Sequence, residues 1–226
     1  MVRDAELKDK LMTIRPSAVK YFDTNLKPLF EDINVTITSS YLLSALGYGK
    51  IGSIQSFLIS AGNKLEEFWN KVINDSVIAT NLISDDDTII VEGESTKTGK
   101  KKKRQIDGCF KVGDKFYYRE FKCNLNFDSE KKPASETKIK QIQELLSKKY
   151  GNVDVDSGYV VPCIIEPTLE IMKKSSVSIN GIKWLIDVTE MNHIFTAEEF
   201  MEYFYTVLRD IFKKKMVRII PLNFET

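Results

Sequence analysis

The sequence contains a single histidine, His193, and only three cysteines, Cys109, Cys123 and Cys163. One histidine excludes zinc sites built from several histidines, and the cysteines lack the C-x-x-C spacing of zinc or redox motifs. All three cysteines lie in apolar, strand-like segments. We therefore predict reduced, buried thiols in a cytoplasmic protein.

Long apolar runs are also missing. No apolar stretch approaches the roughly 18 residues of a membrane-spanning helix, and the first residues, MVRDAELKDKLM, are charged where a signal peptide is apolar. We expect a protein with no membrane partner. The chain also shows no glycine-rich phosphate loop and no Ser/His/Asp arrangement, which leaves carboxylate and lysine chemistry as the remaining candidates.

Neither sign of charge is in excess, because 33 Lys and Arg face 32 Asp and Glu, for a net charge of +1. The basic residues are instead grouped. One group follows a predicted strand over 88–94, at the end of a predicted polar loop over 95–103, and consists of Lys100, Lys101, Lys102, Lys103 and Arg104. Such a group attracts a polyanion because neutralised phosphates release counterions. We predict that it binds DNA; the alternatives are a solvated loop or a localisation-like signal.

The segment that follows, RQIDGCFKVGDKFYYREFKCN, predicts two β-strands because it is rich in aromatic and β-branched residues. Gly113-Asp114 in its middle suits a two-residue type II′ turn, in which glycine takes the first central position. If Val112 faces Lys115 across this turn, Asp107 faces Glu120 further along the ladder. The predicted hairpin therefore brings two carboxylates onto one face of a sheet.

Two facing acids repel each other, because opposite side chains in an antiparallel pair have Cβ atoms about 4.5–5.5 Å apart. A divalent cation removes this repulsion, and Mg²⁺ takes oxygen ligands from one or two carboxylates. Lys122 follows Glu120 by two positions and so falls on the same face. The alternative is a solvated strand face with alternating charges.

Asp107, followed by twelve residues and then Glu120-Phe121-Lys122, resembles the D-x(n)-[D/E]-x-K signature of the PD-(D/E)XK nuclease superfamily, which includes many type II restriction endonucleases. Ile106 stands where the motif has proline. The resemblance implies that Asp107 and Glu120 bind Mg²⁺ and that Lys122 orients or activates the attacking water. It also implies double-stranded DNA as substrate and a homodimer, since two-fold symmetric dimers match palindromic sites.

In this superfamily a helix ahead of the sheet often supplies one further acid. The stretch over 64–73 is predicted to be helical, and Glu67, or alternatively Glu66, is the candidate for this metal ligand. The alternative for both glutamates is an exposed helix face. Asn124, at the end of the hairpin segment, joins the predicted DNA-binding residues. A helix predicted over 137–150 carries Lys138, either on an exposed face or towards substrate phosphates.

Strands predicted near residues 88, 105, 116, 158 and 182 are interleaved late with helices near 137 and 196. This order predicts an α/β (α+β) fold, with a central mixed sheet of about five strands flanked by helices and a restriction-endonuclease-like core. We expect a single nuclease domain over 1–226, with a helical elaboration over 1–80 and the catalytic core over 81–226. Ala61-Gly62 is expected to break a helix, and Thr196 with Glu199 to form a capping box.

The predicted carboxylate–lysine site and the basic group, together with the resemblance, which supplies much of the step from nuclease to restriction enzyme, imply a Mg²⁺-dependent type II restriction endonuclease that hydrolyses double-stranded DNA at a specific sequence. Two alternatives stay open. One is a related nuclease of repair, recombination or phage origin. The other is a non-catalytic nucleic-acid-binding protein, in which Asp107 and Glu120 merely pair with the basic residues of the preceding loop.

Overall fold

The computed structural model describes residues 13–34, 49–83, 88–95, 101–122, 131–162 and 175–219. The chain divides into two compact units: Val72–Met191, called the sheet unit below, and Met1–Lys71 with Asn192–Thr226, called the helical unit. This division differs from a boundary near residue 80, because the C-terminal helices group with the N-terminal helices and not with the sheet.

Within the described residues, the sheet unit contains a five-stranded mixed sheet and a separate two-stranded sheet. The strands in chain order are β1 (Ala79–Asn81), β2 (Thr88–Ser95), β3 (Lys101–Gln105), β4 (Gly108–Val112), β5 (Lys115–Phe121), β6 (Val155–Val161) and β7 (Ser178–Gly181). The larger sheet has the order β1-β4-β5-β6-β7. The β1–β4 and β4–β5 pairs are antiparallel, and the β5–β6 and β6–β7 pairs are parallel. β2 pairs with β3.

Helices of the sheet unit pack against these strands, which confirms the predicted α/β class with a mixed sheet of about five strands. The described helices of both units are, in chain order, α1 (Pro16–Asn25), α2 (Lys27–Glu31), α3 (Gly49–Asp75), α4 (Lys131–Lys149), α5 (Ile182–Val188), α6 (Ala197–Tyr203) and α7 (Arg209–Ile219). A π-helical segment, Phe204–Leu208, joins α6 to α7.

The β4–β5 hairpin has the predicted register. Val112 faces Lys115, and the paired residues end with Gly108 facing Arg119. Gly113 has a φ of 57° while Asp114 does not have a positive φ, as a type II′ turn requires. The next position beyond the last pair is Asp107 on one strand and Glu120 on the other, so the turn chemistry fixes which residues meet.

Helix α4 covers one face of the larger sheet. Because β5 and β6 are parallel neighbours, the chain must return from the carboxyl end of β5 to the amino end of β6, and α4 makes this return. The buried residues between helix and strands are Ile139, Ile142 and Leu146 of α4 with Cys109, Tyr118, Val155, Tyr159 and Val161 of the sheet. The first turns of α4 therefore lie near the carboxyl end of β5.

The prediction of a polar loop over 95–103 was wrong at both ends. Ser95 closes β2, and Lys101, Lys102, Lys103 and Arg104 belong to β3, which pairs antiparallel with β2. Lysine favours strands weakly, but an adjacent strand such as TIIVEGES satisfies the backbone groups and outweighs that preference. The basic residues thus lie on a two-stranded ribbon. Lys100 lies outside the described residues.

The predicted strand at 182–188 and the predicted helix break at Ala61-Gly62 were also wrong. Residues 182–188 form helix α5 and not a strand, since Ile182, Leu185 and Ile186 are buried with helical spacing. Helix α3 continues without a break through Gly62. A glycine in a helix costs about 1 kcal/mol, but the buried side chains of Ala61 and Leu65 continue the apolar face across it.

The helical unit has an aromatic core. Phe22 lies within 4.9–6.3 Å, between ring centroids, of Phe68, Phe195, Phe200 and Tyr203. All five rings have no exposed surface. These contacts, worth about 0.5–1.5 kcal/mol per pair beyond burial, explain why residues distant in sequence form one unit.

The predicted capping box at the start of α6 is confirmed. The Thr196 side chain accepts from the Glu199 main-chain N–H, and the Thr196 N–H donates to Glu199 Oε2 at 2.8 Å. Arg15 also donates to this carboxylate, from Nε at 2.8 Å to Oε1 and from Nη2 at 2.7 Å to Oε2. Glu199 therefore connects the residue before α1, Arg15, to the first turn of α6.

We expect the stabilisation from Glu199 to vanish at low pH. Arg15 holds the pKa of Glu199 down at about 2, so the carboxylate stabilises the fold fully above its unfolded pKa near 4.5 and loses this effect as pH falls towards 2. Glu199→Gln should lower the free energy of unfolding by about 1 kcal/mol at pH 7 and by much less at pH 2, measured by urea denaturation. Glu31→Gln, at an exposed site, is the control; an equal loss for Glu199→Gln at both pH values would contradict the account.

Candidate metal and phosphodiester site

Asp107 and Glu120 are brought together in the interior of the sheet unit. Asp107 immediately precedes β4 and is 6% exposed, while Glu120 lies in the central strand β5 and is 3% exposed. The Phe121 main-chain N–H donates to Asp107 Oδ2 at 3.2 Å. The hairpin backbone therefore fixes the Asp107 carboxylate beside the strand that carries Glu120.

Lys122 lies between the two acids. Its Nζ is 3.5 Å from Asp107 Oδ2 and 2.9 Å from Glu120 Oε1. The Lys122 main-chain N–H donates to the Val160 oxygen at 3.0 Å, which extends the pairing of β5 with β6 by one step. The strand end thus sets the direction from which Lys122 reaches both carboxylates.

Two further groups meet Glu120. Lys138 of α4 places Nζ 2.8 Å from both Oε1 and Oε2, and Tyr118 Oη donates to Oε2 at 2.7 Å. Asp107, Glu120, Lys122 and Lys138 are called the carboxylate–lysine cluster below. The sequence left Lys138 between an exposed face and a phosphate-facing role. Its place two turns into the helix that returns from β5, next to buried Ile139, is the signal that could have found it.

The electrostatics of the cluster differ between the two acids. Burial raises the pKa of Asp107 to about 6, and the charge of Glu120 adds to this rise. Burial also acts to raise the pKa of Glu120, but Lys122 and Lys138 hold it below its ordinary value. For Lys122, burial opposes the charged form, yet Glu120 and Asp107 raise its pKa. Glu120 is thus firmly ionised, and Asp107 is the acid that takes up a proton first.

The cluster suits a hard divalent cation. Mg²⁺ is usually bound through one or two carboxylates, with waters and substrate phosphates completing its coordination. Within the described ranges, no group of three or more His, Cys, Asp and Glu could hold a metal ion. A pair of buried carboxylates therefore fits a cation whose remaining ligands come from water and substrate, and does not fit an all-protein metal cage.

The cluster also lies where ligands bind in many α/β proteins. Glu120 and Lys122 are at the carboxyl end of β5, next to the start of the helix that returns to β6. In open α/β sheets, ligand sites lie outside the carboxyl ends of parallel strands, where loops and helix starts leave a crevice. The position supports a binding or catalytic role for these charges.

The other predicted site residues are placed as follows. Glu67 lies in the helical unit, with a side chain that is 55% exposed and 2.8 Å from Lys64 Nζ. Its metal role, and that of half-buried Glu66, stays a prediction. Asn124 lies outside the described residues. His193 accepts from Arg15 Nη1 through its main-chain oxygen at 3.4 Å.

Of the helices in the described part, none is long and apolar enough to cross a membrane.

Comparisons with known proteins leave the family open. No family model matches the chain, and no curated protein matches it. A solved structure titled "Crystal structure of protein VC1899 from Vibrio cholerae" matches with 12% identity and a TM-score of 0.38, covering 88% of this chain and 52% of that chain. This chain thus spans about half the length of that protein. The PD-(D/E)XK resemblance stays a prediction.

We expect Glu120→Gln to lower the pKa of Asp107 below the value of about 6, because it removes a neighbouring negative charge while Lys122 remains. Carboxyl ¹³C NMR titration measures this directly. Glu144→Gln, which removes an exposed acid from α4, serves as the control and should leave Asp107 unchanged. A constant or higher pKa of Asp107 in Glu120→Gln would show that the two acids do not interact.

Proposed function

We propose that the protein is a Mg²⁺-dependent endonuclease that hydrolyses phosphodiester bonds of double-stranded DNA at a specific sequence, as type II restriction enzymes do. One observation carries most of the support: Lys122 Nζ lies 3.5 Å from Asp107 and 2.9 Å from Glu120. The Asp…Glu-x-Lys motif needs these three side chains at one place, and the hairpin register supplies that geometry.

Each residue of the motif has a role in this proposal. Asp107 and Glu120 would hold Mg²⁺, and the ion would supply Lewis-acid chemistry that polarises a phosphate and makes a water more acidic. Lys122 orients the attacking water and offsets the negative charge that develops on the phosphate. Because both acids are buried, these charges act in a medium of lower dielectric than water, where electrostatic effects are stronger.

The DNA partner is supported by the β2–β3 ribbon. Lys101–Arg104 gives β3 four successive cations, and only Gln105 and Ile106 separate them from Asp107 along the chain. Such cations neutralise phosphates, and a two-stranded ribbon fits the major groove of DNA. Lys100 and Asn124, which lie outside the described residues, stay predicted DNA-binding residues. A homodimer follows from the symmetry of palindromic sites, and a cytoplasmic location agrees with the free, buried thiol of Cys109.

The proposal predicts cleavage of mixed-sequence duplex DNA with Mg²⁺ into discrete fragments. Asp107→Asn should abolish cleavage while DNA binding persists, and Lys122→Met should lower the rate about 10²- to 10³-fold because it removes a charge that acts on the transition state. Gel electrophoresis of the products and a binding titration measure both. Lys115→Met, an exposed site on the same strand, should retain full activity.

Each outcome of this assay is informative. A smear or structure-dependent nicking in place of discrete fragments favours a repair or recombination nuclease with the same chemistry. No cleavage with Mg²⁺ or Mn²⁺ by the unmodified protein contradicts the nuclease assignment.

A second candidate function, a non-catalytic nucleic-acid-binding domain, is favoured by the charge balance of the cluster. Two acids face two lysines, and Lys138 contacts both oxygens of Glu120 at 2.8 Å. Such a network could hold the sheet unit together without a metal. It differs from the pairing with Lys100–Arg104 that the sequence suggested, and it predicts DNA binding that is indifferent to Mg²⁺ and unaffected by Asp107→Asn.

A further inference from the structure

Lys138 uses the same oxygens of Glu120 that a metal ion needs. Its Nζ lies 2.8 Å from Oε1 and 2.8 Å from Oε2, and the lysine comes from α4, outside the hairpin that carries the motif. The Asp…Glu-x-Lys motif gives no role to such a residue. Its position therefore calls for an explanation of its own.

The Glu120 carboxylate has its full complement of donors. Oε1 contacts Lys122 and Lys138 at 2.9 and 2.8 Å, and Oε2 accepts from Tyr118 and Lys138 at 2.7 and 2.8 Å. A carboxylate offers about four acceptor positions on its two oxygens. A cation that coordinates Glu120 must therefore displace one of these donors.

Lys138 is the donor best able to leave. Tyr118 has no exposed surface, and Lys122, although its side chain is 32% exposed, contacts Asp107 as well as Glu120, so its departure would break ion pairs with two acids. The Lys138 side chain is 23% exposed and reaches the site from a helix through a flexible four-carbon chain. Its ammonium group also repels an incoming divalent cation.

We propose that Lys138 is an internal counterion that occupies the Glu120 carboxylate until a divalent cation displaces it. Metal binding and the release of Lys138 are then coupled, and Lys138 sets how tightly the metal is held. This inference rests on the proposed function, because the displacing ion is the Mg²⁺ that the nuclease reaction uses.

The test measures Mn²⁺ binding to the full chain without DNA, by electron paramagnetic resonance of the free ion. Lys138→Met should bind Mn²⁺ about tenfold or more tightly than the unmodified protein, because both a competing donor and a repelling charge are removed. Lys140→Met removes the same charge from an exposed site two residues along α4 and should change the affinity less than about twofold. Lys138→Gln should behave as Lys138→Met does, and circular dichroism verifies that both variants are folded.

The outcomes separate the two proposals. Equal or weaker Mn²⁺ binding by Lys138→Met and Lys138→Gln, with binding lost in Glu120→Gln, overturns the role of Lys138 and leaves the metal site in place. No Mn²⁺ binding by the unmodified protein or by any variant overturns the metal site itself. Tight binding only after Lys138 is replaced supports the displacement most strongly.

Discussion

The burial of the Glu120 carboxylate in the central strand β5 is the constraint on which the sheet unit depends. A buried charge costs several kcal/mol unless it is paired and hydrogen-bonded. Three residues supply the partners: Tyr118 from the same strand, Lys122 from just beyond its end, and Lys138 from α4. Helix α4 must therefore cover the sheet and also place one lysine over the carboxylate, which couples the fold to the site.

Arg119, the residue before Glu120 on β5, is a buried cation whose charge is also paired and hydrogen-bonded. Arg119 has no exposed surface, and its guanidinium lies 4.2 Å from the Trp184 ring centroid and 3.0 Å from Asp156 Oδ1. It also donates to the main-chain oxygens of Tyr118 and Asp156, which joins β5 to β6. Successive residues of one strand thus bury a cation on one face of the sheet and an anion on the other.

Local chemistry explains which features the sequence revealed. Gly113 fixes the hairpin turn, so the register that joins Asp107 to Glu120 follows from a few neighbouring residues. The capping box at Thr196 is equally local. The strand nature of Lys101–Gln105 depends instead on a partner strand, and Lys138 reaches Glu120 only once α4 is packed. The apolar run Ile182–Val188 is compatible with a strand or a helix. It forms a helix because Ile182, Leu185 and Ile186 are then buried on one side.

The cluster is electrically balanced by its lysines, yet Glu120 lies near the carboxyl end of β5, which is parallel to β6, and Asp107 follows the basic strand β3 by two residues in the chain. We propose that Asp107 and Glu120 form one cation site. Anomalous diffraction from crystals soaked with Mn²⁺ tests this proposal. We expect a manganese peak between the carboxylates of Asp107 and Glu120, with Lys138 moved away from Glu120. A peak elsewhere, or none between these two acids, would contradict it.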